Sequence, residues 1–135
     1  MGTASKDKRH SLRDKLSLKQ GGTCYYCKIL LTDVHDDSSQ GTLDRLFPGC
    51  LGGRYTMLNC CAACRLCNGF RGNMGASDYL LLVQMLGRTG AAERARQLHG
   101  GLGGQGTRRP KEIVALEAWS KDEWTRYTAK PKPRG

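Results

Sequence analysis

Leucines at a helical spacing mark the first predicted element of the chain. Residues 11–20 carry Leu12 and Leu16 among polar and basic side chains, and a glycine pair follows at 21–22. Side chains four residues apart share one face of a helix, and glycine often ends a helix. The pattern therefore predicts a short basic helix over 11–20, preceded by a flexible polar terminus over 1–11.

Cysteine-containing runs alternate with turns in the middle of the chain. The segment TLDRLF alternates polar and apolar residues well enough to predict a short strand, which a Pro-Gly pair ends. The later segment CCAACRLCNGFRGN predicts a cysteine turn that runs into a helix. Both segments lie in a predicted domain over 12–99, and its fold class is α+β.

The C-terminal half is predicted to be helical, with one interruption. An apolar run predicts a helix over 77–87 with Ser77 as its N-cap, and a second short helix is predicted over 90–98. The Gly-rich composition of 100–110 predicts a linker. Residues 111–135 are predicted to form a C-terminal helix followed by a basic tail.

The charge balance indicates the kind of partner. The chain has 22 Lys and Arg against 12 Asp and Glu, a formal net charge of +10. Because basic groups release counterions from phosphates on binding, nucleic acid is the expected partner. The basic residues are spread along the chain, so a membrane surface is not expected. The N-terminus lacks the apolar core of a secretory signal, which predicts an intracellular protein that is not secreted.

Two Cys-x-x-Cys motifs have the spacing of zinc ligands. They pair Cys24 with Cys27 and Cys64 with Cys67. In a reducing compartment such motifs indicate a metal before a disulfide, and seven cysteines would leave one unpaired. We expect these four residues to hold one structural Zn²⁺. Cys61 and Cys64 share the same spacing, so a second register stays open.

The order of the motifs extends beyond the cysteines. The strings QGGTCYYC, TLDRLFPG, GGRYTMLN and CCAACRLCNGFRGN follow one another along the chain. This order and spacing resembles the zinc-stapled branch of the HNH, or ββα-metal, endonucleases over roughly residues 12–80. The resemblance implies a small α+β core in which zinc staples a ββα unit, flanked by N- and C-terminal helices.

The resemblance also implies site residues for hydrolysis of DNA phosphodiester bonds. In that family a strand Asp binds one divalent cation, and Asp44 matches it. The next position is usually a His that activates water, and here it is Arg45. Asn59 matches an Asn that braces the loop, and Asn68 matches the second ligand of the cation. Carboxylate and amide oxygens suit Mg²⁺ or Mn²⁺.

Arg45 is the departure from the family pattern. A guanidinium stays protonated near neutral pH and cannot act as a general base, although it can grip a phosphate. His35, upstream in an acidic loop, is a candidate substitute base. Arg54, Arg65 and Arg71 lie beside the implied site and suit phosphate contacts.

Three functions follow as hypotheses. The first is a metal-dependent endonuclease on DNA, slowed or altered by Arg45, with RNA as the alternative substrate. The second is a non-catalytic nucleic-acid-binding zinc module in a larger nucleoprotein assembly. The third is a zinc-ribbon adaptor that binds protein.

Overall fold

The computed structural model describes residues 5–47, 52–98 and 110–118. Within them the fold is mixed α+β, as predicted, with four helices and one two-stranded antiparallel sheet. The predicted linker and the basic tail lie almost entirely outside these residues. The elements in chain order are α1 Lys6–Lys19, β1 Gly41–Arg45, β2 Cys60–Cys64, α2 Arg65–Arg71, α3 Ala76–Leu98 and α4 over 111–118.

Helix α1 begins earlier than the predicted start at residue 11. Ser5 caps it, because the Ser5 side chain accepts a hydrogen bond from the backbone nitrogen of Lys8 at 3.2 Å. Helical order therefore extends into the segment predicted to be flexible. Leu12 and Leu16 are buried, which confirms the face predicted from their spacing.

The two strands place neighbouring side chains in different surroundings. Asp44 in β1 is opposite Cys61 in β2, and Arg45 is opposite Cys60. Because successive side chains of a strand point to opposite faces, Asp44 and Arg45 face away from each other. This separation decides which of the predicted site residues can act together.

Two core clusters cover the two faces of the sheet. Every residue of β2 is buried, and the side chains from Cys60 to Ala63 alternate between the clusters. The first cluster lies toward α2 and α3 and includes Tyr26, Cys61, Ala63, Tyr79 and Leu82. The second cluster lies under α1 and comprises Leu12, Leu16, Cys60 and Ala62, with Leu31, Leu43 and Tyr55 packed against it.

Helix α3 is two helical segments joined at a kink. Gly87 has φ 79° and ψ 175°, which ends the first segment where the sequence predicted a helix end. The first segment starts at Ala76, so Ser77 lies inside the helix and is not its N-cap. Arg94 in the second segment binds both carboxylate oxygens of Glu112 in α4, at 2.8 and 3.0 Å.

Candidate functional site

Four cysteine sulfurs converge where the turn over 24–27, the end of β2 and the first turn of α2 meet. The Sγ atoms of Cys24, Cys27, Cys64 and Cys67 all lie within 4.8 Å of one another, and Cys27 Sγ is 3.7 Å from Cys64 Sγ. A tetrahedral Zn²⁺ with Zn–S bonds of about 2.3 Å separates its sulfurs by about 3.8 Å. The donor set therefore fits a zinc ion, and Cys61 is outside it.

Local backbone geometry aims the four thiols at one point. In the first turn, the nitrogen of Cys24 donates to the oxygen of Ile29 at 2.8 Å, which closes a tight hairpin. Cys64 is the N-cap of α2, and its sulfur accepts from the nitrogen of Cys67 at 3.4 Å. Cys24 Sγ similarly accepts from the nitrogen of Tyr26 at 3.4 Å. Such N–H···S bonds stabilise thiolates and fix their direction.

The four thiols cannot all ionise without a compensating charge. Hydrogen bonds from Cys64 and Cys67 lower the pKa of Cys24 well below its usual value. Burial raises the pKa of Cys27 to about 11. The hydrogen bond with Cys24 also raises the pKa of Cys67. A bound dication would favour the thiolate form at all four positions and release their protons.

Arg88 supplies a cation beside the cluster. It directly follows the kink at Gly87, and its Nη2 lies 3.7 Å from Cys64 Sγ and 2.9 Å from the carbonyl oxygen of Ser38. Four thiolates around a dication leave two negative charges, which a neighbouring guanidinium partly offsets. Arg88 is thus positioned to support a metal bound by these cysteines from outside its ligand shell.

Asp44, the carboxylate implied to bind a catalytic cation, is buried and fully engaged. It is 4% exposed; its Oδ2 accepts from the Tyr26 hydroxyl at 2.7 Å and its Oδ1 pairs with Arg71. Burial raises the pKa of Asp44, and the charge of Arg71 acts against that rise. Burial also raises the pKa of Tyr26, so its hydroxyl keeps the proton it donates.

Arg71 is an interior residue that joins α2 to the end of β1. It is 2% exposed, and besides Asp44 its guanidinium donates to the carbonyl oxygens of Arg45 at 3.0 Å, Leu46 at 3.1 Å and Met74 at 2.9 Å. Its donors are therefore directed at the protein. The sequence suggested a phosphate contact at this position, and the structure places the guanidinium inside the fold.

The side chains of Asn59 and Asn68 form hydrogen bonds that connect β1 to the neighbouring loop and helix. Asn68 Nδ2 donates to Thr42 Oγ1 at 3.0 Å, which ties α2 to β1. Asn59 closes the connection between the strands: its Oδ1 accepts from the nitrogen of Phe47 at 2.9 Å, and its Nδ2 donates to the carbonyl oxygen of Arg54 at 2.8 Å. Asn59 thus braces this loop.

The remaining predicted residues lie away from the Asp44 carboxylate. Arg45 points to the opposite side of β1, with its guanidinium carbon 4.3 Å from the centre of the Tyr55 ring. Arg65 pairs with Asp36 on the surface, and His35 Nε2 is 3.6 Å from the same carboxylate.

Arg54 is exposed, and its hydrogen bonds in the structure use its carbonyl oxygen. The side chain is therefore open to solvent.

Tyr26 and Arg88 contact residues of the candidate site, and the sequence predicted no site role for either. Tyr26 sits inside the first Cys-x-x-Cys motif, and its hydroxyl bond to Asp44 joins residues far apart in the chain. Arg88 had no signal beyond its place after a helix-ending glycine.

Comparison with known proteins gives no further identification: no family model, no curated protein and no solved structure matches the chain. Across the residues that the structure describes, no helix has both the length and the apolar character needed to cross a membrane.

We predict one zinc per purified chain and loss of the folded state in Cys24→Ser, because binding energy at such a site is folding energy. Cys61→Ala is the matched control, since Cys61 is also buried but lies outside the four-sulfur cluster. It should keep one zinc and its far-ultraviolet circular dichroism. Metal analysis and circular dichroism test both variants, and a folded, zinc-free Cys24→Ser protein would contradict the assignment.

Arg88→Gln should weaken zinc binding by about 10- to 100-fold, the usual effect of removing an outer partner of a metal ligand. Competition with a chromogenic chelator measures it. Arg94→Gln removes the same charge from the same helix, where Arg94 pairs with Glu112, and should leave the affinity unchanged. Equal zinc affinities for both variants would remove Arg88 from the metal centre.

Arg71→Ala should lower the free energy of unfolding by about 3–5 kcal/mol, because it leaves the buried Asp44 carboxylate without its counter-charge. Arg96→Ala is the surface control; its exposed pair with Glu93 should contribute nothing measurable. Urea unfolding of the zinc-loaded proteins gives both values. A cost at Arg71 no larger than at Arg96 would show that the interior pair is not formed.

Proposed function

We propose that this chain is a nucleic-acid-binding zinc module, built on a ββα frame of the HNH type, in which a guanidinium takes the place of the catalytic cation. The observation that carries the proposal is the state of Asp44. Its two carboxylate oxygens are engaged by Tyr26 and Arg71, and the residue is 4% exposed. The carboxylate serves the fold.

A hydrated cation needs an accessible carboxylate, and the Asp44 carboxylate is buried. Mg²⁺ keeps several waters and bridges carboxylate to substrate phosphate, so its ligand must face open space. At Asp44 the positive charge beside the carboxylate comes from the Arg71 side chain of α2 and not from a hydrated ion. Separating the carboxylate from Arg71 would also leave a buried guanidinium, bonded to the carbonyl oxygens of Leu46 and Met74, without its counter-charge.

Positive charge supports nucleic acid as the partner. The net charge of +10 favours a polyanionic partner. Arg45 lies on the side of β1 away from Asp44, and Arg54 is exposed on the loop between the strands. A phosphate backbone can be held by these groups with no metal. DNA is the first partner to test and RNA the second.

A metal-dependent endonuclease is the second candidate, favoured by the placement of the two asparagines. Asn68 is bonded to β1 at Thr42, two residues from Asp44, and Asn59 braces the loop that follows β1. In this case Asp44 and Asn68 would hold Mg²⁺ or Mn²⁺ for hydrolysis. Arg71 would have to leave Asp44 when the ion binds.

Asp44→Asn separates the two candidates. It removes the charge that a cation needs and keeps the shape of the side chain. We expect the wild type to bind a fluorescent DNA duplex with an affinity that falls steeply as salt rises. We expect neither the wild type nor Asp44→Asn to nick plasmid in Mg²⁺ or Mn²⁺, with anisotropy and gel electrophoresis as the measurements.

Two outcomes would contradict this proposal. Nicking by the wild type that needs the added cation and disappears in a folded, zinc-loaded Asp44→Asn would establish the endonuclease. In that event Arg45→His should raise the rate if its side chain reaches the substrate. Absence of salt-sensitive binding to both DNA and RNA would instead favour the adaptor that binds protein.

A further inference from the structure

Two arginines from different elements converge on one aromatic ring. The guanidinium carbon of Arg45, in β1, is 4.3 Å from the centre of the Tyr55 ring, and that of Arg9, in α1, is 5.8 Å from it. Residues 9 and 45 are distant in sequence, so the fold itself brings these charges together. Contacts of this kind hold a guanidinium over a ring face.

The Tyr55 ring is anchored. It packs against the second core cluster, whose buried members include Leu12 and Leu16 of α1. Arg9 lies one turn before Leu12, which places it at the N-terminal end of the buried stripe of that helix. The two guanidinium groups therefore rest on a fixed platform, so a ligand that binds them orders fewer side chains.

Neither arginine is neutralised within the part of the chain that the structure describes. Five of the other arginines there pair with carboxylates: Arg13 with Asp14, Arg65 with Asp36, Arg71 with Asp44, Arg94 with Glu112 and Arg96 with Glu93. Arg9 and Arg45 instead contact Tyr55 and are half-buried. Two cations that share one aromatic ring and have no carboxylate partner make a site for an external anion.

We infer that Arg9, Arg45 and Tyr55 form a phosphate-binding site for the backbone of a nucleic acid. Planar guanidinium groups bind phosphate oxygens with two parallel hydrogen bonds, which a lysine cannot do. The inference rests on the proposed function and locates it on the α1 side of the sheet, opposite to Asp44. It also gives Arg45 a role that a general base at this position would not have.

The test compares two variants of equal charge. Arg9→Gln/Arg45→Gln removes the site, and Lys15→Gln/Lys19→Gln removes two exposed charges from α1. Binding of zinc-loaded protein to a labelled 20-base-pair duplex is followed by anisotropy over a range of salt. We expect the site variant to bind about tenfold more weakly for each arginine lost. The plot of log affinity against log salt should become shallower by about 1.8, since each phosphate contact contributes about 0.9 to the magnitude of its slope.

The controls keep each outcome decisive. Circular dichroism and zinc content show whether the site variant is folded. If it is not, the single variant Arg9→Gln, at a half-buried position of α1, replaces it. Arg9→Lys/Arg45→Lys should keep the salt slope while binding more weakly than wild type. If the wild type binds DNA and the site variant matches the Lys15→Gln/Lys19→Gln control in affinity and slope, the site is wrong and the proposed function stands. A wild type that binds no nucleic acid overturns both.

Discussion

The four-sulfur cluster is the constraint on which the rest of this fold depends. It joins three pieces that a two-stranded sheet could not hold alone: the turn bearing Cys24 and Cys27, the end of β2 at Cys64, and the first turn of α2 at Cys67. Closing a long loop costs chain entropy, and a metal bound by thiolates offsets that cost as folding free energy. Once those ends are fixed, α2 has only one direction in which to leave β2, and the cores on both faces of the sheet can fill.

The direction of α2 has a chemical consequence for the strand beside it. It brings the Arg71 guanidinium against Asp44, where the pair is buried and the Tyr26 hydroxyl donates to the second carboxylate oxygen. A buried pair is a weak source of net stability, but either partner alone would be costly, so both positions are constrained together. The adjacent residue, Arg45, belongs to the other face of β1 and to a different set of contacts. One strand thus carries an interior charge on one side and a basic surface on the other.

The sequence predicted those features that depend on local spacing. Leucine spacing identified the buried face of α1, and the pair of Cys-x-x-Cys motifs identified the sulfur cluster, including the expected pairing of Cys64 with Cys67 rather than with Cys61. The start of α1 was missed because its cap, Ser5, lies in a polar run without apolar periodicity. The partner of Arg71 could not be predicted, because a contact between a strand and a helix far apart in sequence depends on the angle at which they meet. The same holds for Arg88 beside Cys64.

Whether Asp44 is available to a cation is the central question, and paramagnetic relaxation answers it directly. Zinc-loaded, ¹⁵N-labelled protein is titrated with Mn²⁺, which broadens the amide signals of residues near any site that it occupies. We expect the signals of residues 43–45 and of Asn68 to broaden no more than those beside exposed carboxylates such as Asp36, since Arg71 holds the interior carboxylate. Saturable broadening centred on Asp44 and Asn68, with the protein still folded, would show that the cation displaces Arg71 and would contradict this account.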